Sequence, residues 1–114
     1  MFYVRTFAIA MLFVSPAFAD DSVPIKGSVS LGESGCPGGL KSADCILTFE
    51  ISGKAAKLLF DGMRVKAAKE ECTGGMQKTD SHGLNCNKAE DGTYNCDFGY
   101  RFSKQAFTGS AMDC

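Results

Sequence analysis

Apolar and polar side chains alternate without a break over residues 94–102. The apolar or aromatic positions fall on one side of an extended chain: Tyr94, Cys96, Phe98, Tyr100 and Phe102. The positions between them are small, polar or charged. A period of two is typical of a β-strand with one buried face. We therefore predict a strand here, with Phe98 at the centre of the core.

The same criterion predicts further strands, because short β-branched and apolar runs recur between turn residues. Strands are predicted at 45–51, 64–68, 76–79 and 84–88; residues 28–31 form at most an edge strand, and 106–108 at most one more short strand.

One segment has helical spacing instead. Ala55, Ala56, Leu59 and Met63 fall on one side of a helix. Lys57 and Asp61 pair on the other side, four residues apart. Ser52 is the candidate N-cap and Gly62 the candidate C-terminal cap. The order of elements predicts an α+β domain: an antiparallel meander sheet of about four to six strands, with one short amphipathic helix on one face.

The turn between the last two long strands sets their register. If residues 90–92 form a three-residue loop with Gly92 in the left-handed conformation, Cys86 lies directly opposite Cys96. Two cysteines in that position can form a disulfide. A two-residue loop would instead place Cys86 opposite Asp97.

All six cysteines lie beyond residue 19, which favours a framework of three disulfides. Cys86 and Cys96 are the first predicted pair, Cys36 and Cys45 the second, and Cys72 and Cys114 the third. A zinc site is the alternative, with His82 between two cysteines, but no two cysteines have the close spacing of structural zinc ligands. We expect neither a metal nor a cofactor.

The first 19 residues have the pattern of a secretory signal peptide. Arg5 precedes an apolar run, and Ala17-Phe18-Ala19 forms a cleavage signal. We predict cleavage after Ala19, a Gly/Ser/Pro-rich segment at 20–44 and a disulfide-stabilised domain at 45–114. The apolar run of the signal peptide is too short to span a membrane, and no other apolar stretch of the sequence is long enough. The predicted location is the periplasm or the external medium of a bacterium.

The balance of 12 basic and 13 acidic residues gives a formal net charge of −1. This balance, without a block of like charges, argues against nucleic acid as a partner. The remaining candidates for chemistry are few. His82, beside Asp80, is the single histidine and the candidate for catalysis. Tyr94, Tyr100 and Arg101 are the candidates for binding, since tyrosine hydroxyls can stay hydrated at the rim of a site.

Tyr94-Asn95-Cys96-Asp97, together with the terminal Cys114, loosely resembles small periplasmic lysozyme inhibitors. The serine and glycine pattern of their inhibitory loop is missing from the rest of the chain. The resemblance implies only that inhibition of a hydrolase is one hypothesis. The leading prediction is a non-enzymatic module that binds another protein of the cell envelope. The alternatives are such an inhibitor, a small hydrolase using His82, and a structural subunit of an envelope or secretion assembly.

Overall fold

A computed structural model of the chain describes residues 21–31, 36, 38–39 and 45–110. They form an α+β fold that is mostly antiparallel sheet, with one helix. The elements in chain order are β1 (Lys26–Leu31), β2 (Ile46–Ser52), α1 (Lys54–Gly62), β3 (Ala68–Lys69), β4 (Met76–Thr79), β5 (Asn85–Lys88), β6 (Tyr94–Arg101), a 3-10 turn (Phe102–Lys104) and β7 (Ala106–Thr108). The sheet has seven strands, not the predicted four to six.

The longest strand, β6, lies inside the sheet. The strand order is β1-β2-β6-β5-β4-β3, so a meander runs from β3 to β6 and β2 enters it from the other side. β7 pairs with the last residues of β6, beyond the end of β5. The two short strands β5 and β7 therefore share one edge of β6, one after the other.

The β5–β6 hairpin has the three-residue loop that the sequence predicts. Ala89 donates its N–H to the carbonyl of Thr93 at 2.8 Å, and Gly92 has a φ of 87°. Only glycine adopts this φ without cost. The register places Cys86 opposite Cys96, and the two residues form a disulfide with 4.0 Å between their Cα atoms.

A second disulfide joins Cys36 to Cys45, as predicted. Cys72 is also disulfide-bonded. Its predicted partner, Cys114, lies outside the described residues, as does the predicted signal peptide of residues 1–19.

The helix begins and ends one residue later than predicted. Its N-cap is Gly53, which makes no side-chain cap, and Met63 follows its last residue. Ser52 is the last residue of β2, so it is not the cap. The predicted pair on the exposed face is present, since the ammonium group of Lys57 contacts the carboxylate of Asp61.

The buried core lies between α1 and the β5–β6 hairpin. Its fully or almost fully buried members are Ala56, Phe60, Cys86 and Cys96. A disulfide thus occupies the place that large apolar side chains fill in bigger domains. Phe98 is only half-buried and is not a member of this cluster, so its prediction as the centre of the core is wrong.

The predicted strand at 64–68 is also largely wrong, since β3 comprises only Ala68–Lys69. The alternation behind the prediction is real: Met63, Val65 and Ala67 are half-buried and the residues between them are exposed. The chain bends at Val65, and residues 63–67 pair with no described strand; Met63 and Ala67 pack against the core.

β1 belongs to the predicted Gly/Ser/Pro-rich segment of residues 20–44. It pairs with β2 along its whole length, from Lys26 opposite Ser52 to Leu31 opposite Leu47. This part of the segment is therefore the outermost strand of the sheet.

Candidate functional site

The two faces of the sheet differ sharply in chemistry. Successive side chains on a strand point to opposite faces, and the register assigns every strand residue to one of them. The face that carries α1 also holds the apolar and aromatic residues of β1, β2, β6 and β7: Val29, Leu31, Leu47, Phe49, Ile51, Tyr94, Phe98, Tyr100 and Phe107. We call it the apolar face. The opposite, polar face carries serine, threonine, asparagine and acidic side chains.

The helix leaves part of the apolar face uncovered. It starts beside Tyr94 and its end is held by Lys78 of β4, so it crosses the beginning of β6 and does not run along that strand. The helix packs over Cys96 at the beginning of β6, beside Ile51 of β2. Phe98 and Tyr100 lie farther along the strand.

Five aromatic rings contact one another on this remaining part of the apolar face. Phe49 stacks on Phe98, with 4.9 Å between ring centroids. Phe98 meets Phe107 edge to face at 5.9 Å, and Phe107 meets Tyr100 at 5.2 Å. Phe102 completes the row at 5.4 Å from Tyr100. We call these five residues the aromatic platform.

An apolar groove runs between the platform and the helix. Its volume is about 850 Å³, within the range of ligand-binding clefts. Leu58 and Leu59 of the helix form one wall, and Phe98 and Phe107 of the platform form the other. The other lining residues are Val23, Ile25, Ile51, Ala55, His82, Leu84 and Ala106.

Several large apolar side chains around the groove are exposed. Phe107 is 65% exposed, Val29 57% and Leu58 54%. Leu31 and Ile25 extend the same surface along β1 and the residue before it. Scattered exposed apolar residues are ordinary, but a contiguous patch of this kind marks an interaction site.

His82 lies at the side of the groove, in the turn before β5, and its side chain is exposed. The Asp80 carboxylate does not orient the imidazole. It accepts hydrogen bonds from the backbone N–H of His82 at 2.8 Å and of Leu84 at 2.9 Å. The Nδ1 atom of His82 is 3.4 Å from the hydroxyl of Ser81. Asp80 therefore shapes the turn, and the pair lacks the geometry of a catalytic base held by an acid.

The three predicted binding residues do not form one site. Tyr94 packs edge to face on Phe60, 5.5 Å away, at the border of the core, and Lys57 lies over its ring. Tyr100 belongs to the aromatic platform, about 20 Å farther along β6. Arg101 points to the polar face. Only Tyr100 therefore contributes to the surface described here.

The polar face is covered where the sequence leaves a gap at Gly99. Gly99 is buried, and a Cβ atom built on it would lie 2.6 Å from the carbonyl oxygen of Gly109 and 2.7 Å from the side chain of Ile46. The next residue, Ser110, donates a hydrogen bond to the carboxylate of Asp97. The chain after β7 therefore crosses this face and fills the gap at Gly99.

Lys78 links the sheet to the end of the helix. Its ammonium group donates to the carbonyl of Phe60 at 2.8 Å and of Met63 at 3.1 Å, and lies 4.5 Å from the centroid of the Phe60 ring. The last carbonyls of a helix lack partners within it and carry partial negative charge. Lys78 therefore fixes the helix, and with it one wall of the groove.

One carboxylate with a shifted pKa shapes the turn between β3 and β4. Glu70 accepts hydrogen bonds from the hydroxyl of Thr73 and from the backbone N–H of Cys72 and Thr73. These bonds stabilise the charged form and hold the pKa of Glu70 below its ordinary value.

Two exposed groups are shifted by similar local contacts. The backbone N–H and then the hydroxyl of Thr93 lower the pKa of Asp91 in the hairpin loop. A hydrogen bond to Asp61 raises the pKa of Lys57. Neither group lines the groove, so both shifts reflect structure and do not indicate catalysis.

Sequence reasoning missed most of the apolar surface. Phe49 and Phe107 lie in predicted strands, but nothing local shows that their rings meet Phe98.

In the part of the chain that the structure describes, no group of three or more histidine, cysteine, aspartate or glutamate side chains could hold a metal ion. Nor does any helix among these residues have the length and apolarity needed to cross a membrane. Fold and surface together define a disulfide-bonded α+β domain with a contiguous apolar and aromatic face. No family model matches the chain, and no curated protein or solved structure is significantly similar to it.

Proposed function

We propose that the protein is an exported module that binds another protein of the cell envelope through the aromatic platform and the adjoining groove. The observation that carries this proposal is the exposure of Phe107, Val29 and Leu58 around a single apolar surface. Aromatic side chains are enriched in protein interfaces, where a few well-packed residues carry most of the binding energy.

Export to the periplasm or the medium is part of the proposal. Its support is the pattern of a signal peptide in residues 1–19 and the presence of disulfides, which persist in oxidising compartments. An inhibitor of an envelope hydrolase would be one form of such a module. A hydrolase based on His82 is less well supported, because the Asp80 carboxylate is engaged by backbone amides.

The test uses two lysine substitutions on short strands. Phe107→Lys places a charge on the platform, whereas Ala68→Lys places the same charge on an exposed position of β3 on the polar face. The oxidised protein and both variants are immobilised, and the captured envelope proteins are identified by mass spectrometry.

We expect one stoichiometric partner to be retained by the wild type and by Ala68→Lys, and its recovery to fall at least ~10-fold with Phe107→Lys, as for a hot-spot residue. Circular dichroism is used to check that both variants are folded. Equal recovery with the two folded variants would refute the proposal, as would the absence of any partner.

A further inference from the structure

Among residues 21–31, 36, 38–39 and 45–110, none covers the outer edge of β1 as a paired strand. β1 is the first strand in the sheet order, and no other described strand pairs with its outer side. All six of its residues are exposed. Proteins commonly protect such edges with proline, charges or a bulge, because an open edge pairs with other chains. Here the only charged residue of the strand is Lys26, at its beginning.

The ladder determines which backbone groups of β1 face outward. The carbonyl of Tyr94 accepts a hydrogen bond from Gly53, so the backbone groups of Tyr94 point towards β2. Alternation along β6 gives Cys96 the same direction, and it pairs with Ile51 of β2. The next residue of β2, Glu50, therefore points towards β1.

The same alternation then continues into β1. Glu50 pairs with Ser28, so the N–H and C=O groups of Ser28 and Ser30 point inward to β2. Those of Gly27, Val29 and Leu31 point outward.

This outward set is symmetric about Val29. In an antiparallel pair of two β1 strands centred on Val29, the Val29 residues of the two copies lie opposite each other, and Gly27 of each copy lies opposite Leu31 of the other. Each of these three residue pairs exchanges two backbone hydrogen bonds, about six in all. On the polar face Ser28 lies opposite Ser30, and no two like charges meet.

We propose that the protein forms a symmetric dimer in which the β1 strands of two copies pair antiparallel about Val29. The side chains also fit this register. The largest residue of the outward set, Leu31, lies opposite Gly27, which has no side chain. The two copies of Val29, each 57% exposed in one chain, come into contact. The two apolar faces lie on the same side of one continuous sheet, which doubles the surface available to a partner.

A pair of adjacent substitutions tests the register. Val29→Lys places two lysines directly opposite each other at the centre of the dimer, where like charges repel. Ser30→Lys adds the same charge one residue away, at another exposed position, but opposite Ser28. Sedimentation equilibrium over a wide range of concentrations gives the dissociation constant of each oxidised protein, without any partner present. We expect Val29→Lys to weaken the dimer at least ~10-fold, equivalent to about 1.4 kcal/mol, and Ser30→Lys to change it much less.

Amide exchange measured by NMR distinguishes this dimer from any other. In a single chain Ser28 and Ser30 are protected and Val29 and Leu31 exchange freely, whereas the proposed dimer protects all four. Protection of Val29 that rises with protein concentration supports the proposal. Three results would overturn it: a monomer at every concentration, a dimer with an unprotected Val29, or equal weakening by the two substitutions. A monomer whose edge becomes protected only when another protein is added would assign β1 to that protein instead.

Discussion

Lys78 offers the sharpest test of how the helix is held over the sheet. The substitution Lys78→Met keeps a long unbranched side chain, similar to the aliphatic part of lysine, but removes the ammonium group. That group makes two hydrogen bonds to the end of the helix, 2.8 and 3.1 Å long, and lies over the ring of Phe60. A nine-residue helix has little stability of its own, so losing its attachment affects the whole core.

The expected cost follows from these contacts. Hydrogen bonds to a charged group contribute about 1.5–3 kcal/mol, and a cation over an aromatic ring about 0.5–1 kcal/mol. These contributions do not add fully, because the two hydrogen bonds share one ammonium group and the methionine variant no longer has the cost of removing a charge from water. We therefore expect Lys78→Met to lower the free energy of unfolding by about 2–3 kcal/mol. In a domain of this size the melting temperature falls by about 4–8 °C per kcal/mol.

Lys88→Met is the matched control. Lys88 is exposed and lies on the same face of the adjacent strand. Its ammonium nitrogen lies 5.7 Å from the centroid of the Tyr94 ring. The two variants have the same net charge and the same new side chain. Urea unfolding followed by circular dichroism measures both. If their unfolding free energies agree within about 0.5 kcal/mol, the ordinary range of a surface substitution, the proposed role of Lys78 is wrong.

Two further predictions concern the disulfides and the acidic turn. The double substitution Cys86→Ala and Cys96→Ala removes a disulfide that links residues 10 positions apart, together with two buried sulfur atoms. We expect the free energy of unfolding to fall by about 3–5 kcal/mol, which is enough to unfold a marginal domain near room temperature. A cooperative thermal melt of the fully reduced wild type would contradict this. Folding lowers the pKa of Glu70. The Glu70 carboxylate therefore stabilises the folded protein above the pKa it has in the unfolded chain, and this stabilisation is lost as pH falls through its pKa in the folded protein. Glu70→Gln should therefore destabilise the protein near neutral pH, and the difference from wild type should shrink on acidification from about pH 6 to about pH 3; a difference independent of pH in thermal melts would rule this out.

The sequence by itself determined the features that depend on neighbouring residues. The period of two over residues 94–102 identifies β6, and a three-residue loop with Gly92, which the structure contains, places Cys86 opposite Cys96; the sequence alone left a two-residue loop open. The contact between Lys57 and Asp61 follows from helical spacing in the same way. Register and helical spacing are fixed by backbone geometry over a few residues, so they can be read locally.

Only the tertiary structure decided what each face of the sheet contacts. Phe98 has the pattern of a core residue, but the helix crosses β6 nearer the beginning of the strand and leaves Phe98 outside the core, and β7 brings Phe107 to its side from the end of the chain. Gly99 leaves a gap in the polar row, and Gly109 fills it. These contacts join segments that are distant in sequence or depend on how far one element extends over another. Alternation shows which way a side chain points, whereas its burial depends on which other segments of the chain fold over it.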